Sequence, residues 1–340
     1  MDHRKIMVLG KSSFVVSLPK EWMRMNNLDR GNTVAMDIQK DKTLLIYPTG
    51  DVRTEGKEIH LVVEAEETNE SITRRIIGSY LDGYTRIKLT SGNIFTTEQH
   101  KSIRKIVGTL YMMILESEAN SVTLQTLVDE SKASVNSSIE RMHIITYSMC
   151  RDTLNAMLNR DKELALSVIP LEDDVDQLMF FLLRLIRVAA INPSLGNQLG
   201  LDPLDCLDYQ SLVSRIERIA DHVTAMAESL VALITNEVVL PADLESNLIK
   251  TSEIAFSSYD KAVESFLSKD ISNSDEIIDK EMEVLKAQEV IMGYRFFQES
   301  NYVSSMSHIF SIIDGMRKIS HHAASIAEIT IDRAYKSGWL

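Results

Sequence analysis

With 340 residues, 44% of them apolar, the chain is long enough to bury more than one core, and 16 Met beside 6% aromatics point to aliphatic helix packing rather than a β-sandwich. Cys150 and Cys206 are isolated, which argues against a disulfide framework or a CxxC metal motif and fits a reducing, cytoplasmic compartment. The net charge of −13 argues against nucleic-acid binding by the chain as a whole, but residues 1–56 carry nine Lys/Arg against seven Asp/Glu, so any DNA contact belongs at the N-terminus. Charges interrupt every apolar run before it reaches membrane-spanning length, and no signal-peptide core precedes them, so no membrane insertion is expected.

Residues 4–50 read as short strands around one short helix. Arg4 to Leu9 alternates loosely, Gly10-Lys11-Ser12-Ser13 is a turn, and Phe14 to Leu18 runs apolar into Pro19, which starts a helix through Met25. Gly31-Asn32 breaks the chain, Thr33 to Ile38 alternates as a strand, Asp41-Lys42 turns, and Thr43 to Tyr47 forms the last strand. This β, β, helix, β, β order, with Ser17-Leu18-Pro19-Lys20-Glu21-Trp22-x-Arg24 at its centre, resembles the AbrB/SpoVT swapped-hairpin DNA-binding domains. The resemblance implies a homodimer with interleaved hairpins and DNA contacts from Arg4, Lys5, Lys11, Lys20 and Arg24. Two departures are the extra Ser12-Ser13 in the turn and Asn32 where Asp commonly follows the glycine.

Residues 51–130 suggest a small α/β connector module. Glu58 to Glu64 alternates as a strand, Asn69 to Leu81 has helical spacing, Tyr84 to Leu89 is a second strand, Thr96 to Leu110 looks helical, and Ser121 to Leu127 is a candidate third strand. No Gly-rich phosphate loop, G-x-S-x-G elbow or HExxH motif occurs here or elsewhere, so no enzyme is expected.

From about Ser134 the pattern is helical almost throughout. Helices are expected over Ile139 to Leu158, Leu164 to Ile191 with a kink or restart at Pro170, and Pro203 to Ile234, with a break at Asn192-Pro193-Ser194-Leu195-Gly196. The scheme then begins again near Leu244 to Leu267, Ser274 to Phe297 and Tyr302 to Tyr335, so the domains expected are 1–50, 51–130, 131–236 and 237–340. Leu158-Asn159-Arg160-Asp161 matches Leu267-Ser268-Lys269-Asp270, and Glu172-x-x-Val175-Asp176-x-x-Met179 matches Asp275-x-x-Ile278-Asp279-x-x-Met282. The third helices align Glu217 with Arg317 and Asp221 with His321.

The acids stand out. Glu217 and Asp221 lie four apart on one helix, about 100° to the side of a seam formed by Val213, Ile216, Ala220, Val223, Ala227, Leu230 and Ile234. Glu172 and Asp176 flank a second seam, Val175, Leu178, Leu182, Leu185 and Ala189, in the same way. Asp176 has Phe180 one turn on, so no local ion pair accounts for it. These paired E/D-x-x-x-D motifs resemble those of PhoU, a regulator of phosphate uptake built from two similar three-helix bundles, over roughly residues 131–340.

The PhoU resemblance implies a metal ion (Fe, Zn, Mn or Mg) at Glu172, Asp176, Glu217 and Asp221. It implies a degenerate second site of Asp275, Asp279 and His321, beside which Arg317 would repel a cation. His222 points away from Asp221 and reads as a packing residue. Glu140-x-x-His143 lacks the second copy that di-iron chemistry requires. The fold expected is multi-domain and mainly α: a swapped-hairpin β head, a small α/β module and a PhoU-like pair of three-helix bundles. Two functions follow. One is a DNA-binding transcription regulator whose helical part senses phosphate status, metal or a partner; the other is an accessory protein that docks on a phosphate transporter or sensor.

Overall fold

The computed structural model describes residues 3–38, 42–48, 56–64, 66–294 and 303–336. They fall into two compact units, Met1–Lys57 and Glu58–Leu340.

In the first unit, β1 (Met7–Leu9) and β2 (Ser13–Val15) form one antiparallel hairpin, α1 (Lys20–Met25) follows Pro19, and β3 (Val34–Ile38) and β4 (Leu44–Pro48) form a second hairpin. Gly10 turns the first hairpin with φ 72°, a conformation that favours glycine. The element order is the expected one, although β1 is shorter than the alternation suggested; of the Asp41-Lys42 turn, only Lys42 lies among the described residues. No described residue of this unit is buried, and Ile6, Phe14, Met25 and Ile38 are each more than 70% exposed. A unit of this size whose described residues bury no apolar side chain has no core among them.

The second unit begins with a four-stranded sheet, β5 (Glu58–Val63), β6 (Arg86–Ser91), β7 (Met112–Ser117) and β8 (Ser121–Thr126), in the order β5-β6-β8-β7. The β5–β6 pair is parallel, joined through α2 (Asn69–Leu81), and the other pairs are antiparallel. With α3 (Thr97–Thr109), α2 covers one face over a core that includes Val63, Ile76, Tyr80, Leu89, Ile103, Leu110 and Leu124. Strand β7 is an addition to the expected elements: Met112 to Leu115 is a short apolar run, and Tyr111 just before it, at φ 48°, turns the chain straight out of α3.

The helical part comprises α4 (Val135–Asn159), α5 (Lys162–Val168), α6 (Leu171–Ile191), α7 (Pro193–Leu199), α8 (Pro203–Thr235), α9 (Ala242–Ser268), α10 (Ser274–Met292) and α11 (Val303–Ala334). Among the described residues no helix is long and apolar enough to cross a membrane. The restart at Pro170 is real, since α5 ends before it and α6 begins after it. The break expected at Asn192 to Gly196 is instead the helix α7, started by Pro193 at its first position and by the Asn192 side chain accepting from the Leu195 N–H. The expected helix over Ser274 to Phe297 ends at Met292; Phe297 and Tyr302 lie outside the described residues. The two halves do not build separate cores: one continuous apolar core runs from Val135 to Ala327.

The duplication is visible in backbone detail. Arg160 and Lys269 both end a helix in the left-handed conformation, φ 50° and 62°, and the N–H groups of Asp161 and Asp270 donate to Ala156 O and Ser265 O, each at 3.0 Å. Beyond this point the halves differ by the seven residues of α5, which have no helical counterpart after Lys269. The third helices then match 100 residues apart, with Val213, Ile216, Ile219 and Val223 as buried as Ile313, Met316, Ile319 and Ala323.

Helices α8 and α11 cross closely at Gly315, where an added Cβ would lie 2.6 Å from Met226 Cγ and 2.7 Å from Met226 Sδ. Gly315→Val is expected to lower stability by about 1–3 kcal/mol through overpacking. Urea unfolding checks it, and most of the loss should be recovered when Met226→Ala is added; an undiminished loss in the double variant would contradict the account.

Candidate functional site

Three of the acids singled out in the first half meet. Asp176 on α6 and Glu217 and Asp221 on α8 each offer a carboxylate oxygen, and these three oxygens lie within 4.8 Å of one another. Among the described residues no other group of three or more His, Cys, Asp or Glu side chains is so gathered. Packing sets the meeting. The seams Val175, Leu178, Leu182, Leu185 and Ala189 on α6, and Val213, Ile216, Ala220 and Val223 on α8, are all buried, so the flanking acids are left half-buried at the edge of the helix pair. Electrostatic neighbours give the helix direction: Glu172 feels Asp221 and Glu228, whereas Glu217 feels Asp176 most strongly after Asp221, so α6 and α8 run antiparallel.

Glu172 departs from the four-ligand expectation. Although on the same stripe of α6 as Asp176, it lies a turn along the axis and falls outside the three-oxygen group. It remains close enough for the charges of Asp221 and Asp176, after burial, to push its pKa up.

The acid cluster carries concentrated, poorly solvated negative charge. Burial, followed by the charge of Asp221, raises the Asp176 carboxyl to about 6, and burial followed by Asp221 and Asp176 raises Glu217 to about 7. Burial also raises Asp221. Two cations oppose the trend: Lys105 on α3 lowers Asp176, and Arg218 lowers Glu217 and Asp221. The influence of Lys105 was not foreseen, because it depends on the sheet module docking against α6, where Gln177 Nε2 also donates to Gly108 O at 3.0 Å.

The second half does not assemble a counterpart. The buried residues Ile277, Val284 and Ile291 of α10 correspond to Val175, Leu182 and Ala189 of α6, 102 residues on. The acids Asp275 and Asp279 stand 103 residues after Glu172 and Asp176. That one-residue slip rotates them about 100° around the helix, and both are exposed. His321 bonds through Nδ1 to Glu281 at 2.9 Å instead of joining Asp275 and Asp279. Arg317 pairs with Asp314 on its own helix at 2.8 Å. His222 packs, as expected, in a near-parallel stack with His322, ring centres 5.7 Å apart. His143 of the Glu140-x-x-His143 motif lies at the α4–α9 contact, 3.0 Å from Tyr259 Oη and 3.1 Å from Asp260 Oδ1.

Arg184, in the apolar run of α6, was missed. It is fully buried, stacks 4.7 Å over the Tyr80 ring, donates to the Tyr80 and Tyr84 carbonyls and pairs with Glu130 at 2.7 Å. On the same side, Arg187 pairs with Asp82 at 2.6 Å. Together they fix α6, and with it Asp176, to the sheet module.

In the N-terminal unit all five expected DNA-contact residues, Arg4, Lys5, Lys11, Lys20 and Arg24, are exposed; Lys11 lies in the β1–β2 turn and Lys20 and Arg24 on α1. Arg4 Nη1 donates weakly to Ser17 Oγ at 3.5 Å.

A small hairpin head, an α/β module and a duplicated helical bundle with acids meeting between neighbouring helices define a multi-domain, mainly helical protein. Comparison with known proteins identifies the parts. Residues 139–230 match the PhoU domain family, and residues 7–54 match the family described as antidote-toxin recognition MazE, bacterial antitoxin. The chain thus carries a PhoU domain and an N-terminal antitoxin-like domain. The PhoU match contains all four first-half acids and ends before Asp275. A curated relative, the phosphate-specific transport system accessory protein PhoU homolog of Zymomonas mobilis, is 22% identical over 205 residues, 59% of this chain and 84% of the relative. Crystal structures of PhoU from Pseudomonas aeruginosa and of the phosphate transport system regulatory protein PhoU from Streptococcus pneumoniae are each similar at 18% identity and TM-score 0.48. They cover 58% and 60% of this chain and 93% and 94% of theirs.

Proposed function

We propose that this protein regulates phosphate uptake in the cytoplasm as a homodimer whose N-terminal heads bind DNA and whose first helical half binds a metal ion. The cation sits at Asp176, Glu217 and Asp221, with Glu172 one turn away. The observation that carries the metal assignment is the convergence of three carboxylate oxygens within 4.8 Å, with Asp176 and Glu217 half-buried and raised by burial and by neighbouring carboxylates, and no cationic partner in ion-pair contact among the described residues. A cation neutralises such a group; hard oxygen donors suit Mg, Mn or Fe, and Zn is the softer possibility. The second half, with Asp275 and Asp279 exposed and His321 held by Glu281, binds none.

The DNA assignment rests on the exposed cations Arg4, Lys5, Lys11, Lys20 and Arg24 on a head that buries no side chain among its described residues. A second copy covers its apolar residues, and a dimer then presents two cation sets to a duplex. Fluorescence anisotropy on fragments from the protein's own genome tests it. Binding is expected to weaken about a thousandfold between 50 and 200 mM salt if most of the cations reach phosphates. Lys5→Glu with Lys11→Glu should weaken it at least about tenfold while leaving the metal content unchanged.

A second function has its own support, since the curated relative is described as a transport system accessory protein. In that case the head only dimerises, the charge-reversed variant behaves as wild type, and the chain captures a phosphate transporter's cytosolic subunit or a phosphate sensor.

A further inference from the structure

An open cleft of about 430 Å³ lies between α8 and α11, lined by Gln210, Ser211, Ser214, Arg215, Arg218, His321, His322 and Ser325 among others. Its chemistry is opposite to that of the acid cluster. Among the described residues neither Arg215 nor Arg218 has a carboxylate within ion-pairing distance. Arg215 Nη1 donates only to Ser211, at its carbonyl and hydroxyl, and Arg215 Nε is buried without a hydrogen-bond partner. A buried guanidinium N–H without an acceptor is costly. The surrounding carboxylates do not fill the role: Glu281 is engaged by His321 Nδ1, Glu328 reaches Arg215 only as a distant charge, and Asp314 is taken by Arg317 and Lys318.

We propose that this cleft binds a phosphoryl group, either inorganic phosphate or the phosphate of a small monoester. Two guanidinium forks, three serine hydroxyls and an imidazole offer more donors than the two oxygens of a carboxylate accept, whereas a tetrahedral dianion presents three or four acceptor oxygens. The cleft is larger than phosphate alone, leaving room for the body of a monoester. His322 contributes as a neutral hydrogen-bonding group: burial first, then the neighbouring imidazoles of His222 and His321 and the charges of Arg215 and Arg218, hold its imidazolium to about 4. Arg215 and Arg218 make the cleft a site of positive potential. Arg218 also acts on Glu217 and Asp221, but the cleft's donors are distinct from the acid cluster and binding does not require the metal.

Isothermal titration calorimetry of the metal-free full chain tests this, with inorganic phosphate, a nucleoside 5′-monophosphate, the parent nucleoside and acetate as titrants. Phosphate or the monophosphate is expected to bind, and whichever binds tighter identifies the source of the phosphoryl group. Arg218→Gln, at an exposed position that leaves the core intact, should weaken binding at least tenfold. Arg215→Gln should do the same if circular dichroism shows it folded. Asp275→Asn and Arg317→Gln should bind as wild type. No binding of either phosphate at millimolar concentration overturns the proposal, as does equal binding of acetate or undiminished binding by Arg218→Gln.

Discussion

Arg184→Ala is expected to lower the stability of the second unit by about 3–5 kcal/mol, the usual cost of removing one partner from a buried ion pair. The loss is large because the side chain has no exposed surface and serves several groups at once: Glu130 and the carbonyls of Tyr80 and Tyr84, with the Tyr80 ring beneath it. Each of those acceptors is then left without its donor in a poorly solvated place. Lysine offers no planar fork, so Arg184→Lys should recover little. Arg184→Met combined with Glu130→Gln removes both charges and keeps the volume, and is expected to be milder than Arg184→Ala. Urea unfolding followed with hydrogen exchange at residues 80–84 checks the claim. A loss under about 1 kcal/mol, or no local gain in exchange, contradicts it.

Metal binding should reverse the dependence of stability on pH. In the metal-free chain Asp176 and Glu217 are raised to about 6 and about 7, from ordinary values of 3.8 and 4.5. Between pH 4 and 7 the folded state therefore holds more protons than the unfolded state, and stability falls as pH rises through that window. Bound metal requires the ionised carboxylates, so its affinity grows with pH and protons leave as it binds. The melting temperature of metal-free protein is thus expected to drop from pH 5 to pH 8. The increment added by saturating Mn²⁺ should be larger at pH 8, about 2.7 kcal/mol where the ion is at a hundred times its Kd. Glu217→Gln should flatten both trends. A metal-free melting temperature that rises over this range would count against the clustered acids.

Most of the helical half was legible because its apolar spacing and its burial obey the same rule; Val213, Ile216, Ala220 and Val223 read as a seam and are one. Asp176, Glu217 and Asp221 could be picked out for the same reason, since their angle to two seams follows from sequence alone. The second half misled because α10 offers acids at nearly the right spacing. Asp275 and Asp279 align with Glu172 and Asp176 by residue type, but the buried Ile277, Val284 and Ile291 set the helix one residue differently. Helix α7 was read as a break because Asn-Pro signals both a turn and a helix start, and here the Asn192 cap decided it. Arg184 carried a usable sign, an arginine inside Leu182-Leu183-Arg184-Leu185-Ile186, but its partners lie in a module 54 to 104 residues away along the chain. The Arg215 and Arg218 cleft needed α11 to close it and had no local sequence mark.

Metal content of the full chain bears on the central claim most directly. Protein stripped by chelator, loaded with Mn²⁺ or Fe²⁺ and freed of excess ion should retain about one ion per chain by elemental analysis, lose it in Asp176→Asn and in Glu217→Gln, and keep it in Asp275→Asn with Asp279→Asn. Retention of the ion by Asp176→Asn and Glu217→Gln, or none in the wild type, would contradict an ion held between α6 and α8.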